Sequence, residues 1–193
     1  MRDAVMRVGV ALGMVVWAGW TAACAPAESA EDEATATEAP AAVVATTAPA
    51  PDTTGEALWA HMQGEDYRDT WDLWPGLEAF YAGNDPHGNL LTTYTNAIAA
   101  EALASGSMVM PEGAVIIKEN YMPTRELAAI TVMYKRAGYN PDHSDWFFAK
   151  YRPDGTLDAA PTGMALEGRV PGCQSCHIGR EPFDYLFSPR PGM

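Results

Sequence analysis

Apolar and polar positions change their rhythm several times along this 193-residue chain. Val8 to Trp20 is apolar almost without interruption, and from Ala25 to Thr54 no period is visible. TTGEALWAHMQG then predicts a short helix, with Thr53 or Thr54 as N-cap, Glu56 in the first turn and Gly64 at the end. EDYRDTWDLWPG predicts a second, because Tyr67, Trp71 and Trp74 fall at i, i+4 and i+7 before Pro75 stops the helix. An aromatic stripe at that spacing reads as core rather than as a cofactor wall.

Past the turn-forming FYAGNDPHGN the period shortens. LLTTYT is β-rich and leads into a short helix, NAIAAEALASG. PEGAVIIKENY opens with a turn and runs through Ala114, Val115, Ile116 and Ile117 as a buried strand. ELAAITVMYKRAGYNP supplies a second apolar run, and SDWFFAKYRPDGT a third that the turn PDG closes. Strands that follow one another without helices between them pair antiparallel. Alternation along DWFFAKY sends Trp146 and Phe148 to one face and Phe147 and Tyr151 to the other, so only one pair can look into a site.

The N-terminal run changes the picture of where this fold works. MRDAVMRVGVALGMVVWAGWTAAC has Arg2 and Arg7, an apolar run too short to span a bilayer comfortably, and small residues after it, which is the layout of a bacterial export signal. Its ending, TAAC, resembles the lipobox of bacterial lipoproteins, in which Cys24 becomes the lipid-carrying first residue; cleavage near Ala23 and an uncleaved apolar tail are the plainer alternatives. Residues 24–54 then form an acidic, Ala/Thr/Pro-rich tether with too little apolar surface to offset the entropy of ordering it. Three parts result: a signal over 1–23, the tether over 24–54, and one compact domain over 55–193. The expected location is the bacterial periplasm, with a lipid anchor in the outer membrane rather than the inner. The formal charge of −13, of which −8 lies in the domain, disfavours nucleic acid and anionic lipid as partners.

The chemistry is concentrated in PGCQSCHIGR, where Cys173, Cys176 and His177 have the spacing C-x-x-C-H. That spacing reads as c-type haem attachment: two thiols on one side of a helical turn form thioethers with neighbouring vinyl groups, and the next residue ligates the iron. A thioredoxin-like dithiol belongs near the start of a βαβ unit, and a structural zinc site needs more ligands at paired spacing. His61, His87 and His143 are scattered and supply neither pattern. The sixth iron position separates two functions, since a strong Met or His ligand makes an electron carrier and a vacancy admits small molecules. Met108, Met110, Met122, Met133 and Met164 are available for the first, with a periplasmic redox partner implied.

DYRDTW, PEGAVIIKE, DWFFAKY and GCQSCH followed by DYLFS, in that order over about Asp66 to Arg190, resemble the cytochromes P-460 and the related β-type cytochromes c′. The resemblance implies an α+β domain, mainly antiparallel sheet with flanking helices and a C-terminal haem-attachment helix, usually homodimeric. It implies one haem c, covalently attached through Cys173 and Cys176, with His177 matching the proximal ligand of a five-coordinate iron. In the P-460 branch a lysine is also bonded to the porphyrin edge, and those proteins oxidise hydroxylamine and bind nitric oxide; Lys118 matches that lysine. The c′-β branch lacks the bond and binds nitric oxide in an apolar distal pocket, for which Tyr121, Phe147 and Phe148 are the candidates here. Hydroxylamine-oxidising relatives carry a proton-accepting carboxylate on the next strand, about where this chain has Thr131, a poor base. Glu119, Glu126 and His87 could substitute, but each reads as a surface residue.

Overall fold

The computed structural model describes residues 50–189. The export segment, Cys24, most of the tether and residues 190–193 lie outside the described residues. The first helix, α1 (Gly55–Gly64), starts where Thr54 caps it, its hydroxyl accepting from the Ala57 N–H at 3.2 Å. The second, α2 (Tyr67–Thr70), is only one turn long, because Trp71 is already extended and Asp72–Leu73 pair as strand β1. The expected longer helix does not form, and its stripe is divided: Tyr67 and Trp71 pack on one side of the sheet and Trp74 on the other.

The remaining elements are β2 (Tyr81–Ala82), β3 (Leu90–Thr95), α3 (Ala97–Ala104), β4 (Val115–Tyr121), β5 (Leu127–Lys135), β6 (Trp146–Tyr151), β7 (Glu167–Gly168) and α4 (Pro171–His177). The seven strands form one sheet in the order β1-β3-β4-β5-β6-β7, with β2 also on β3, and every pairing is antiparallel. The fold is α+β with a C-terminal helix, as the strand spacing and the family resemblance both implied.

Because side chains alternate across a strand, each central strand feeds two separate cores. Val115, Ile117, Val132, Tyr134, Phe147 and Tyr151 close one face against Leu58 and Met62 of α1 and Tyr67 of α2. Ile116, Met133, Trp146 and Phe148 form the other face, packed on Ala99 and Leu103 of α3 and on Tyr185 and Leu186 of the C-terminal segment. Pro171 occupies the first turn of α4, where its missing N–H costs nothing.

Asp184 fastens the segment after α4 to the sheet. Its carboxylate accepts from Lys135 Nζ at 2.7 Å, Ser144 Oγ at 2.5 Å and the Met110 N–H at 2.7 Å, while its carbonyl accepts from the Trp146 indole at 2.9 Å. Lys135 and Asp184 are both buried, so this pair is satisfied as a network rather than by solvent.

Candidate functional site

The second face does not close completely. A cavity with an empty volume of about 480 Å³, partly continuous with solvent, lies between β4–β6, α4, the 84–89 loop and the chain end. Ile116, Met133 and Phe148 give it an apolar sheet wall; Cys173 and His177 face it from α4, and Leu186 and Phe187 from the segment beyond.

His177 is held ready to ligate. Its Nδ1 lies 2.7 Å from the Tyr185 carbonyl, an acceptor only, so Nδ1 carries the proton and Nε2 carries the lone pair. The Asp184 network fixes the next residue, Tyr185, and thereby this carbonyl. Burial pushes the His177 imidazole below its ordinary pKa, against the pull of the Tyr185 bond, which favours the neutral, ligating form. Phe148 and Phe187 pack edge-on against its ring, with centroids 5.4 and 5.2 Å away.

Cys173 and Cys176 are free thiols on the same helix, Cys173 half-buried at the cavity wall and Cys176 exposed. Burial raises the Cys173 pKa, so its thiol is protonated at neutral pH. Among the described residues no cluster of three or more His, Cys, Asp or Glu could hold a bare metal ion. A histidine with a free Nε2, two unpaired thiols one turn apart and an apolar cavity beside them do fit a covalently tethered haem.

Lys118 and Thr131 line the cavity from adjacent strands, in the cross-strand row Thr93, Lys118, Thr131, Lys150. Lys150 is paired with Asp158 at 2.8 Å, whereas the Lys118 ammonium has no ion pair or hydrogen bond among the described residues. Burial pushes its pKa down to about 8.

Two candidates are corrected by the geometry. Tyr121 and Phe147 point to the opposite face: Phe147 belongs to the core under α1, and the Tyr121 hydroxyl donates to Glu119. Alternation requires this once Phe148 and Lys118 face the cavity. Glu119 is fully buried on that same opposite face, where Tyr67 at 2.8 Å and Arg68 at 2.6 Å also bind it, so it is neither a surface residue nor a base for this cavity. Glu126 is exposed.

His87, offered by the sequence as a substitute proton acceptor but read as a surface residue, is instead part of the site. It lines the cavity, its ring centroid lies 6.2 Å from that of His177, and Nδ1 is 3.3 Å from Thr131 Oγ1. Burial, with smaller contributions from Lys118 and His177, pushes its pKa down to about 4, against a weak upward pull from the Asn120 amide. The signal in the sequence was thin: a histidine in a loop of turn formers. Of the five methionines considered as ligands, only Met133 reaches the cavity; Met110 is in the core, and Met108, Met122 and Met164 are exposed.

Comparison with known proteins agrees with this site. No curated protein matches the chain significantly. The family model for Cytochrome P460, however, matches residues 65–188, about two thirds of the chain and nearly all of the folded domain. The haem that this family carries is the cofactor the cavity and its histidine suit, and the chain belongs to the cytochrome P460 family.

Proposed function

We propose that the protein is an exported c-type cytochrome, lipid-anchored through Cys24 in the periplasm, whose single haem binds small nitrogen compounds such as nitric oxide or hydroxylamine. The observation that carries this reading is His177, its Nδ1 locked on the Tyr185 carbonyl and its ring turned to an apolar cavity beside Cys173. In this reading Cys173 and Cys176 tether the haem and His177 is its proximal ligand. When bound, the haem supplies an iron centre that takes small ligands and exchanges single electrons. Phe148, Ile116 and Met133 exclude water from around it, which favours a small neutral ligand over a charged one.

Binding is favoured over rapid hydroxylamine oxidation because proton removal needs a base within reach. Among the described residues the cavity lining contains no carboxylate, and Glu119 is committed on the far side of the sheet. Lys118 stands in the cavity wall, and it is the residue that the resemblance matches to the family's cross-linking lysine. A haem peptide that includes Lys118 would assign the P-460 branch, and one without it the c′-β branch.

Titration of the reduced protein with nitric oxide, followed by optical and EPR spectra, tests the proposal. A saturable spectral change with one ligand per haem is expected, together with little hydroxylamine-dependent reduction of an added acceptor. Haem indifferent to nitric oxide would leave the second reading, an electron carrier with a methionine sixth ligand, for which Met133 is the candidate the cavity offers.

A further inference from the structure

We propose that residues 186–189 are a strap that closes the mouth of the cavity, latched at its far end by Trp74, and that small ligands reach the haem when this latch opens. The inference rests on the function proposed above and adds to it the step that controls entry.

The strap starts from a fixed root. Asp184 and Tyr185 take φ +54° and +64°, the left-handed region that bulky residues rarely adopt, and two such residues in succession redirect the chain. They are held there by the Asp184 network and by the Tyr185 hydroxyl, which donates to the Asp142 carbonyl at 3.1 Å. Leu186 is buried just beyond, its N–H donating to the Phe183 carbonyl at 3.2 Å.

The middle of the strap lies at the opening. Phe187 lines the cavity and packs edge-on against His177, yet 52 % of its surface is in solvent, so it stands at the boundary between the two. Ser188 lines the cavity beside it.

The far end crosses to the other side of the sheet's open face. The Trp74 indole donates to the Pro189 carbonyl at 2.5 Å, and Ser188 adds a side-chain contact with the Tyr81 hydroxyl. Trp74 is itself buried and tied to β3, its N–H donating to the Thr93 carbonyl at 2.8 Å. The far end therefore rests on neutral hydrogen bonds, whereas the root rests on a buried ion pair. Neutral bonds give way before a charge-assisted network does, so the strap opens from Pro189 toward Phe187 while the Tyr185 carbonyl keeps its hold on His177.

A gate has a kinetic signature that a wall lacks. When entry and exit wait on the same opening, a weaker latch speeds both in the same proportion. Affinity stays where it was, because neither the open nor the closed strap is favoured by the ligand.

The test uses the full-length holoprotein, its haem content first measured, with nitric oxide as the probe. Association is followed by stopped flow and dissociation by trapping the released ligand. Trp74→Phe keeps a ring and removes the donor; both rates should rise roughly fivefold, the worth of one hydrogen bond, with affinity within about twofold of the wild type. Phe187→Ala, which leaves the core untouched, should speed both rates further, and adding Trp74→Phe to it should change nothing more. Unchanged rates in Trp74→Phe, an affinity lost through dissociation alone, or full additivity in the double variant would overturn the strap while leaving the proposed function in place. A holoprotein that takes up no nitric oxide would overturn the proposed function, and the gate with it.

Discussion

The two faces of the central sheet are made by the same strands, residue by residue in alternation, yet only one of them leaves room. On the closed face a fully buried carboxylate, Glu119, is bound by Tyr67, Arg68 and Tyr121, and large aromatics fill the space under α1. On the open face, among the described residues, Lys118 and the buried Asn120 Oδ1 have no partner, two thiols are free, and His177 Nδ1 is held on the Tyr185 carbonyl. Polar groups buried without partners are costly, so they persist where something else engages them. The contrast separates the face that holds the fold together from the face that holds a ligand.

Breaking the anchor that holds the C-terminal segment on the open face should have the largest effect. Asp184→Ala leaves Lys135 buried beside Trp146 without its counter-ion. A loss of about 3–5 kcal/mol is expected in denaturant unfolding, with weaker haem retention as the Tyr185 carbonyl loosens. A loss below about 1 kcal/mol would mean the segment is held by its apolar contacts alone.

The neighbouring pair Phe147 and Phe148 sharpens the comparison. Phe147→Ala should cost about 3–4 kcal/mol while leaving the haem spectrum unchanged. Phe148→Ala, bordering space that already exists, should cost less in unfolding and shift the spectrum and the ligand-binding rate. Equal spectral effects from both would contradict the division of the sheet into two faces.

Lys118 gives a pH signature. Its folded pKa of about 8 lies below the unfolded value of about 10.4. Between these values the unfolded chain binds more protons, so stability should rise with pH from about 8 to about 10; below 8 both states are protonated and the penalty is constant. The burial-raised tyrosines Tyr67, Tyr121 and Tyr151 oppose this only above about pH 10. Lys118→Met should stabilise the protein on the order of 2–3 kcal/mol at pH 7 and abolish the rise. Unfolding midpoints at pH 7, 8 and 9.5 would show it.

Thr131→Val is expected to have the smallest effect, about 1 kcal/mol in unfolding, since it removes a hydroxyl hydrogen-bonded to the Lys118 carbonyl while keeping the volume.

Much of this architecture was legible in the sequence because it follows from local rules. The Thr54 cap, the strand around Ile116 and Ile117, the PDG turn and the C-x-x-C-H helix each depend on a few neighbouring residues. The divided aromatic stripe was not legible, because the turn at Trp71 is imposed by pairing of Asp72 and Leu73 with β3, a tertiary contact. Alternation could say that Phe147 and Phe148 part company, but not which side has the cavity. The placement of His87 at the cavity was hidden for the same reason: it comes from a loop folding onto residues 31 and 44 positions further on in β4 and β5. That distance in sequence leaves no pattern.

The central claim is that the cavity-facing helix α4 carries one haem through Cys173 and Cys176 with His177 on its iron. Proteolysis of the purified, exported protein followed by mass spectrometry tests it most directly. The account predicts a single peptide spanning Cys173 to His177 that is heavier by one haem and resists thiol alkylation at both cysteines. A haem-free peptide in which both thiols alkylate, or in which they form a disulfide, would contradict it.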